Sequence, residues 1–212
     1  MRTFFKDFLE PFCLLIYAIA IFIALAKNRS LKKEVLFAYY LIATFIIAVA
    51  CYTQSDSVNH LLYNIYYFIT IATLSYYFGW SLNSRIKKNI VIGLFTIHFL
   101  TFAYISIVPG HSDGINVYYY AFTYLTIVIY ALFYFEQVMR NISETNILHD
   151  FNFWLASGYL LYFLSCFFVI LFYDNIDVEH RAMLWMLQNS ILLISTFLTI
   201  AGSIWVRFQH KY

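Results

Sequence analysis

The chain has 212 residues, of which 63% are hydrophobic, 22% aromatic and 11% charged, with a formal net charge of +2. So few polar groups cannot cover a water-soluble globule, and the near balance of charge gives nucleic-acid binding no support; lipid is the solvent that fits. With only 2 Pro and 6 Gly, few positions invite a broken helix, and continuous helices are expected.

An apolar run close to the roughly 20 residues needed to cross hydrocarbon occurs seven times. The spans are read at about 8–27, 34–53, 60–80, 89–108, 116–137, 152–173 and 184–206. The connections, roughly six to fifteen residues each, leave no room for a second, water-soluble domain. The expected fold is therefore all-α: a single membrane domain over 1–212, an integral bundle of seven transmembrane helices.

In the first span, Arg2 and Lys6 ahead of an apolar run ending in Ala24-Leu25-Ala26 look like a cleavable signal peptide. Asp7 and Glu10 dilute that basic start, and Lys27, Arg29, Lys32 and Lys33 follow at once, so the span is read as a retained helix. Glu10, Cys13 and Tyr17 share a face near its first end. In the third span His60, Asn64 and Tyr67 share one. The fourth, NIVIGLFTIHFLTFAYISIV, carries an ionisable side chain, His98, at its middle, with Thr101 and Tyr104 further along.

In the fifth span Tyr119, Thr123, Thr126, Tyr130, Tyr134 and Gln137 step by three or four. The sixth carries Gly158, Tyr162 and Cys166. The seventh begins with Gln188 and Asn189 and continues in two neighbouring lines, Ser195-Thr199-Gly202 and Thr196-Ser203. Small residues and hydroxyls at helical spacing mark faces that turn toward other helices rather than lipid.

Orientation follows from Lys and Arg in the connections. Lys27, Arg29, Lys32, Lys33, Arg85, Lys87, Lys88, Arg140, Arg207 and Lys211 fall on one side; Arg2, Lys6 and Arg181 fall on the other. The expected arrangement puts the N-terminus outside and the C-terminus in the cytoplasm of a bacterial inner membrane. The outer connections then hold Asp56, Asp113, Asp174, Asp177 and Glu179 with His60, His111 and His180. Their spacing matches no metal-ligand pattern, and Cys13, Cys51 and Cys166 have no C-x-x-C partner, so neither metal nor cofactor is expected.

Catalytic signatures are missing in turn: there is no H-E-x-x-H and no G-x-S-x-G. The seven-span hydrolases that include alkaline ceramidases and adiponectin receptors place histidines in their last span, and span seven here has none. Transport has little more support, because Gly- or Pro-broken helices and repeated halves are not evident. The polar residues Glu10, His60, Asn64, Tyr67, His98, Gln188 and Asn189 are costly in hydrocarbon unless they pair or line a wet cavity. An outward-facing polar pocket is the candidate ligand site, with no catalytic or metal residue.

The runs FNFWLASGYLLYFLSCFFVILF at 151–172, LWMLQNSILLISTFLTIAG at 184–202 and VNHLLYNIYYFITIATLSYYF at 58–78 resemble a group of small, uncharacterised bacterial seven-span proteins. These in turn are similar to membrane input modules of sensor kinases. The resemblance implies a sensory or accessory, non-enzymatic role, sensing a small or lipidic ligand or binding a membrane partner. No kinase or other output domain is expected after Tyr212, so a signal would pass to a partner in the membrane or through the basic loops. A small-molecule or ion transporter and a lipid-modifying intramembrane enzyme are the alternatives.

Overall fold

A computed structural model describes residues 2–27, 31–52, 56–107, 117–140, 147–173 and 178–208; within these, side chains are described from Pro11 onward except at some helix ends and a few isolated positions. The described residues form seven α-helices: α1 (Arg2–Lys27), α2 (Leu31–Tyr52), α3 (Asp56–Ser81), α4 (Arg85–Ile107), α5 (Val117–Arg140), α6 (Phe151–Tyr173) and α7 (Val178–Phe208), with a single 3-10 turn at Ile147–His149. Several begin before the apolar runs do, as in α4, where Arg85, Lys87 and Lys88 are already helical. A helix has no reason to stop where hydrocarbon stops, because its backbone bonds are internal.

Five helices are long and apolar enough to cross a membrane, over Lys33–Ala50, Arg85–Ile107, Val117–Arg140, Phe151–Phe172 and Met186–Trp205; α1 adds a shorter apolar stretch, Pro11–Ile23. The protein is a helical membrane bundle. Its outer surface carries large apolar side chains, such as Phe45 (70% exposed), Ile86, Leu100, Ile107 and Phe197, which only lipid or another membrane helix can cover. The remaining helix, α3, is the exception that the interior explains. Its Asn64, Tyr66, Thr70, Ser75 and Tyr77 are all buried, so its polarity faces other helices.

The helices form a closed ring in the order α1, α2, α3, α5, α6, α7 and back to α1, while α4 packs on α3 and α5 from outside. Only 17% of α4's apolar stretch is buried, against 61% of α5. The buried residues of α4 are Val91, His98 and Ile105, one heptad apart, which is a single narrow seam. Aromatic stacking holds its other flank, with the Phe68 and Phe102 rings 4.4 Å apart.

One end of the bundle is stapled by polar side chains. The Gln137 amide on α5 brackets the α3–α4 turn, accepting from Asn83 N at 2.6 Å and donating to Ser81 O at 3.1 Å. Lys87 of α4 pairs with Glu136 at 2.7 Å, and Glu136 also meets Arg140 at 2.7 Å. Asp150 caps α6, its Oδ1 accepting from the Asn152 backbone N–H at 2.9 Å, which satisfies a first-turn donor. The Tyr134 hydroxyl donates to Asp150 and the Tyr77 hydroxyl to Asn152. The basic Arg85, Lys87 and Arg140 thus lie at the same end.

The α6–α7 contact is the closest in the bundle for which glycine matters. A Cβ at Gly202 would lie 2.3 Å from Trp154 Cβ, and one at Gly158 would lie 3.1 Å from the Ser195 carbonyl oxygen, whereas one at Gly93 meets nothing within 4 Å. These glycines let two backbones approach as small residues do in membrane interfaces. Gly202→Ala should therefore lower the unfolding temperature of detergent-solubilised protein, costing about 1–3 kcal/mol, while Gly93→Ala leaves it unchanged or raises it. Equal effects at the two positions would contradict this packing.

A tyrosine-lined cavity as the candidate functional site

Tyrosine in the middle of a membrane helix brings a hydroxyl to a place without water, where it must find a protein partner. Here the partners come from neighbouring helices. Thr70 donates to its own helix at Tyr66 O, 2.7 Å away, so the 2.9 Å contact between Tyr39 and Thr70 has Tyr39 as donor. Ser195 donates across to Gly158 O at 2.9 Å, leaving the Tyr17 hydroxyl to donate to Ser195. Tyr130 donates to Val91 O at 3.2 Å and so accepts from Ser75 at 3.1 Å. In each relay one hydroxyl gives its proton to a main-chain carbonyl and accepts from the next group.

The rings form a continuous layer. Tyr40 stacks on Tyr17 at 4.9 Å with planes 5° apart, and Tyr17 reaches Tyr159 at 6.4 Å. Phe163 links Tyr159 to Tyr124, at 5.9 and 5.8 Å, and Tyr124 meets Tyr67, whose ring lies 4.2 Å from that of Tyr120. Within this layer is a cavity of about 10 Å³ as measured for the centre of a water-sized sphere, room for about one water. Tyr17, Tyr39, Tyr40, Tyr66, Tyr159 and Tyr162 line it, contributed by α1, α2, α3 and α6, with Leu14, Phe163 and Leu192. The Tyr40 hydroxyl donates to that of Tyr159 at 2.7 Å. Tyr159 gives its own proton to none of the described residues, so among the tyrosines that line the cavity its hydroxyl remains able to donate.

Of the polar set expected to line one pocket, the members with described side chains lie on α3, α4 and α7. Asn64 and Tyr67 come together on the α3–α5 seam, where Asn64 Oδ1 accepts from Tyr120 at 2.9 Å and Tyr67 pairs with Tyr124 at 2.5 Å. His60 is half-buried on the same helix. Gln188 and Asn189 are buried on α7, which packs on α1 and α6. Glu10 lies outside the residues whose side chains are described, as do Asp56, His111, Asp113, Asp174, Asp177, Glu179 and His180. Among the described residues no three His, Cys, Asp or Glu gather as metal ligands. Cys13 and Cys166 are buried.

His98 is fully buried, but against α5. Its ring stacks on Phe122 at 4.2 Å and meets Tyr119 edge-on at 5.9 Å. Thr126 donates to Phe122 O at 2.8 Å, so its 3.0 Å contact with His98 Nε2 assigns the proton to Nε2. His98 Nδ1 is then a bare acceptor, buried and without a hydrogen-bond partner, a state that costs about 1–3 kcal/mol.

Tyr39, Tyr40, Tyr66 and Tyr159 were not among the residues singled out from the sequence. The available signal was the Tyr39-Tyr40 and Tyr66-Tyr67 doublets in mid-span, where tyrosine is out of its usual place at the membrane surface. Comparison with known protein families, with curated proteins and with solved structures finds no match for this chain.

The relay logic makes an asymmetric prediction. Thr70→Val removes the acceptor of the Tyr39 hydroxyl and should cost about 1–3 kcal/mol, whereas Tyr39→Phe leaves the Thr70 bond to Tyr66 O intact and should cost less. The double variant Tyr39→Phe/Thr70→Val should recover stability relative to Thr70→Val. Thermal unfolding in detergent measures all three, and strict additivity would refute the assigned direction.

Proposed function

We propose that the protein is a non-enzymatic, sensor-like membrane module that binds a small, weakly polar ligand carrying a hydrogen-bond acceptor in the tyrosine-lined cavity. The observation that carries this reading is the Tyr40–Tyr159 pair on the cavity wall, with the Tyr159 proton given to none of the described residues. Stacked tyrosine rings favour a flat ligand, and the Tyr159 hydroxyl as donor favours a carbonyl on it. A small planar carbonyl compound meets both conditions.

The size of the cavity bears on the mechanism. With room for about one water, it admits such a ligand only if Tyr40 and Tyr159 part. Those residues belong to α2 and α6, and their rings touch Tyr17 of α1, which is tied to Ser195 of α7. Binding therefore stabilises a different arrangement of four helices, and the ligand's preference for that arrangement is the signal. The helix ends at Lys33 and Arg140, together with the basic loops, form the surface offered to a membrane or cytoplasmic partner, with the N-terminus outside, the C-terminus inside and a bacterial inner membrane as the location.

Purified protein in phosphatidylcholine nanodiscs should gain thermal stability with a short-chain benzoquinone and gain nothing from the matching alkylbenzene. Tyr159→Phe, with native stability otherwise, should weaken the effect about five- to tenfold, the contribution of one hydrogen bond. An equal shift from both compounds would defeat the reading. Flux of the compound in proteoliposomes would replace it with transport, and its chemical conversion would replace it with catalysis. A cytoplasm-dependent reporter fused after Tyr212 should be active, and one fused before Met1 inactive; the reverse would invert the orientation.

A further inference from the structure

We propose that the α4–α5 seam is a second binding site, for a hydroxyl-bearing amphiphile drawn from the bilayer, whose O–H donates to His98 Nδ1. The site does not depend on the tyrosine cavity, because no residue lining that cavity belongs to α4 or α5.

Nδ1 is a buried acceptor with no hydrogen-bond partner, on a ring held by Thr126 on one nitrogen and by Phe122 on its face. Thr126 cannot serve Nδ1, since its one proton goes to Phe122 O. Tyr119 meets the imidazole edge-on without donating to Nδ1. A donor supplied from outside the chain completes the site.

The surroundings select what kind of donor. A buried water is stable with two to four polar partners, and this seam offers it Nδ1, the hydroxyl of the neighbouring Tyr119 and a threonine hydroxyl that already donates and accepts. An alcohol needs fewer polar partners, because its alkyl portion is content in lipid. The residues flanking His98 suit such a chain: Ile97, Phe99 and Leu100 on α4 and Leu125 on α5 are exposed and reach the hydrocarbon. The α4 helix meets the ring along the line Val91, His98 and Ile105, so a small outward movement of one helix opens the path from the bilayer. A long-chain alcohol and a diacylglycerol carry the same recognised group.

The test uses the full-length protein in phosphatidylcholine nanodiscs and a diazirine-bearing long-chain alcohol, alongside its methyl ether, which has no proton to give. A diazirine-bearing diacylglycerol and its O-methyl derivative form the second arm and identify which source binds. Labelling mapped by mass spectrometry to residues 97–101 and 122–129 should be about five- to tenfold higher for an alcohol than for its ether. His98→Phe, which keeps an aromatic ring against Phe122, should bring the alcohol down to the ether's level. Equal labelling by alcohol and ether, or labelling unchanged in a natively stable His98→Phe variant, overturns the site. Where that variant fails to fold, 15N NMR of histidine-labelled native protein decides: the unprotonated nitrogen of one imidazole shifts on adding the alcohol and not the ether, and the absence of that shift overturns the proposal.

Discussion

In hydrocarbon a hydroxyl group has no water to receive its proton, and the nearest acceptor with a spare lone pair is a helix carbonyl. The interior of this bundle is arranged around that constraint. Thr70, Thr126 and Ser195 each give their proton to a main-chain oxygen and are thereby converted into acceptors of known direction. Tyr39, His98 and Tyr17 donate to them in turn. The first two relays join one helix to the next, and the third joins α1, α6 and α7 at a single point. Because an unmet hydroxyl costs about 1–3 kcal/mol, the relative rotation of these helices is fixed by where their hydroxyls can reach, as much as by apolar packing.

Apolar packing then acts differently on the two faces of the bundle. Between helices there is no hydrophobic drive, since lipid is as apolar as leucine, so close contact depends on small residues and ring stacking. Gly158 and Gly202 supply the first between α6 and α7, and the Tyr17–Tyr40 stack supplies the second between α1 and α2. The helix with most polar groups, α3, lies within the ring, contacting α2, α4 and α5. The helix with one ionisable mid-span group, α4, lies outside it. Burial follows the number of interhelical partners a sequence offers rather than its hydropathy.

The helices themselves were legible in the sequence, because apolar runs of membrane length have few other readings. So were the inward faces: of the stripe picked out by spacing on α5, Tyr119, Thr123, Thr126, Tyr130 and Tyr134 are buried and Gln137 is half-buried, and Ser195, Thr196, Thr199 and Ser203 on α7 are buried. What spacing could not supply was which faces meet. Asn64 and His98 both read as polar residues turned inward, yet one meets Tyr120 on the inner side of α5 and the other meets Thr126 from a helix outside the ring. Residue order gives each helix a direction and a preferred face; the position of α4 outside the ring depends on long-range contacts that local pattern does not encode. The cavity was hidden for a related reason, since its six tyrosines come from four helices and no single span contains the motif.

Two groups bear most on binding, and they differ in sign. The Tyr159 hydroxyl has a proton and no acceptor among the described residues, while His98 Nδ1 has a lone pair and no donor. In water such a mismatch is trivial, because solvent completes either group. In a bundle where hydroxyls such as those of Tyr17, Tyr39, Thr70 and Ser195 are matched by relays, each of these two groups marks a place that an added molecule completes with one hydrogen bond. The two positions ask for opposite chemistry, an acceptor at the centre of the ring and a donor at its lipid-facing edge, so one ligand cannot substitute for the other. Tyr124 and Tyr120 connect them through ring contacts, from Phe163 beside the cavity to Tyr119 beside His98. Occupation of one site alters the other to the extent that these rings move together, and any such coupling acts equally in both directions.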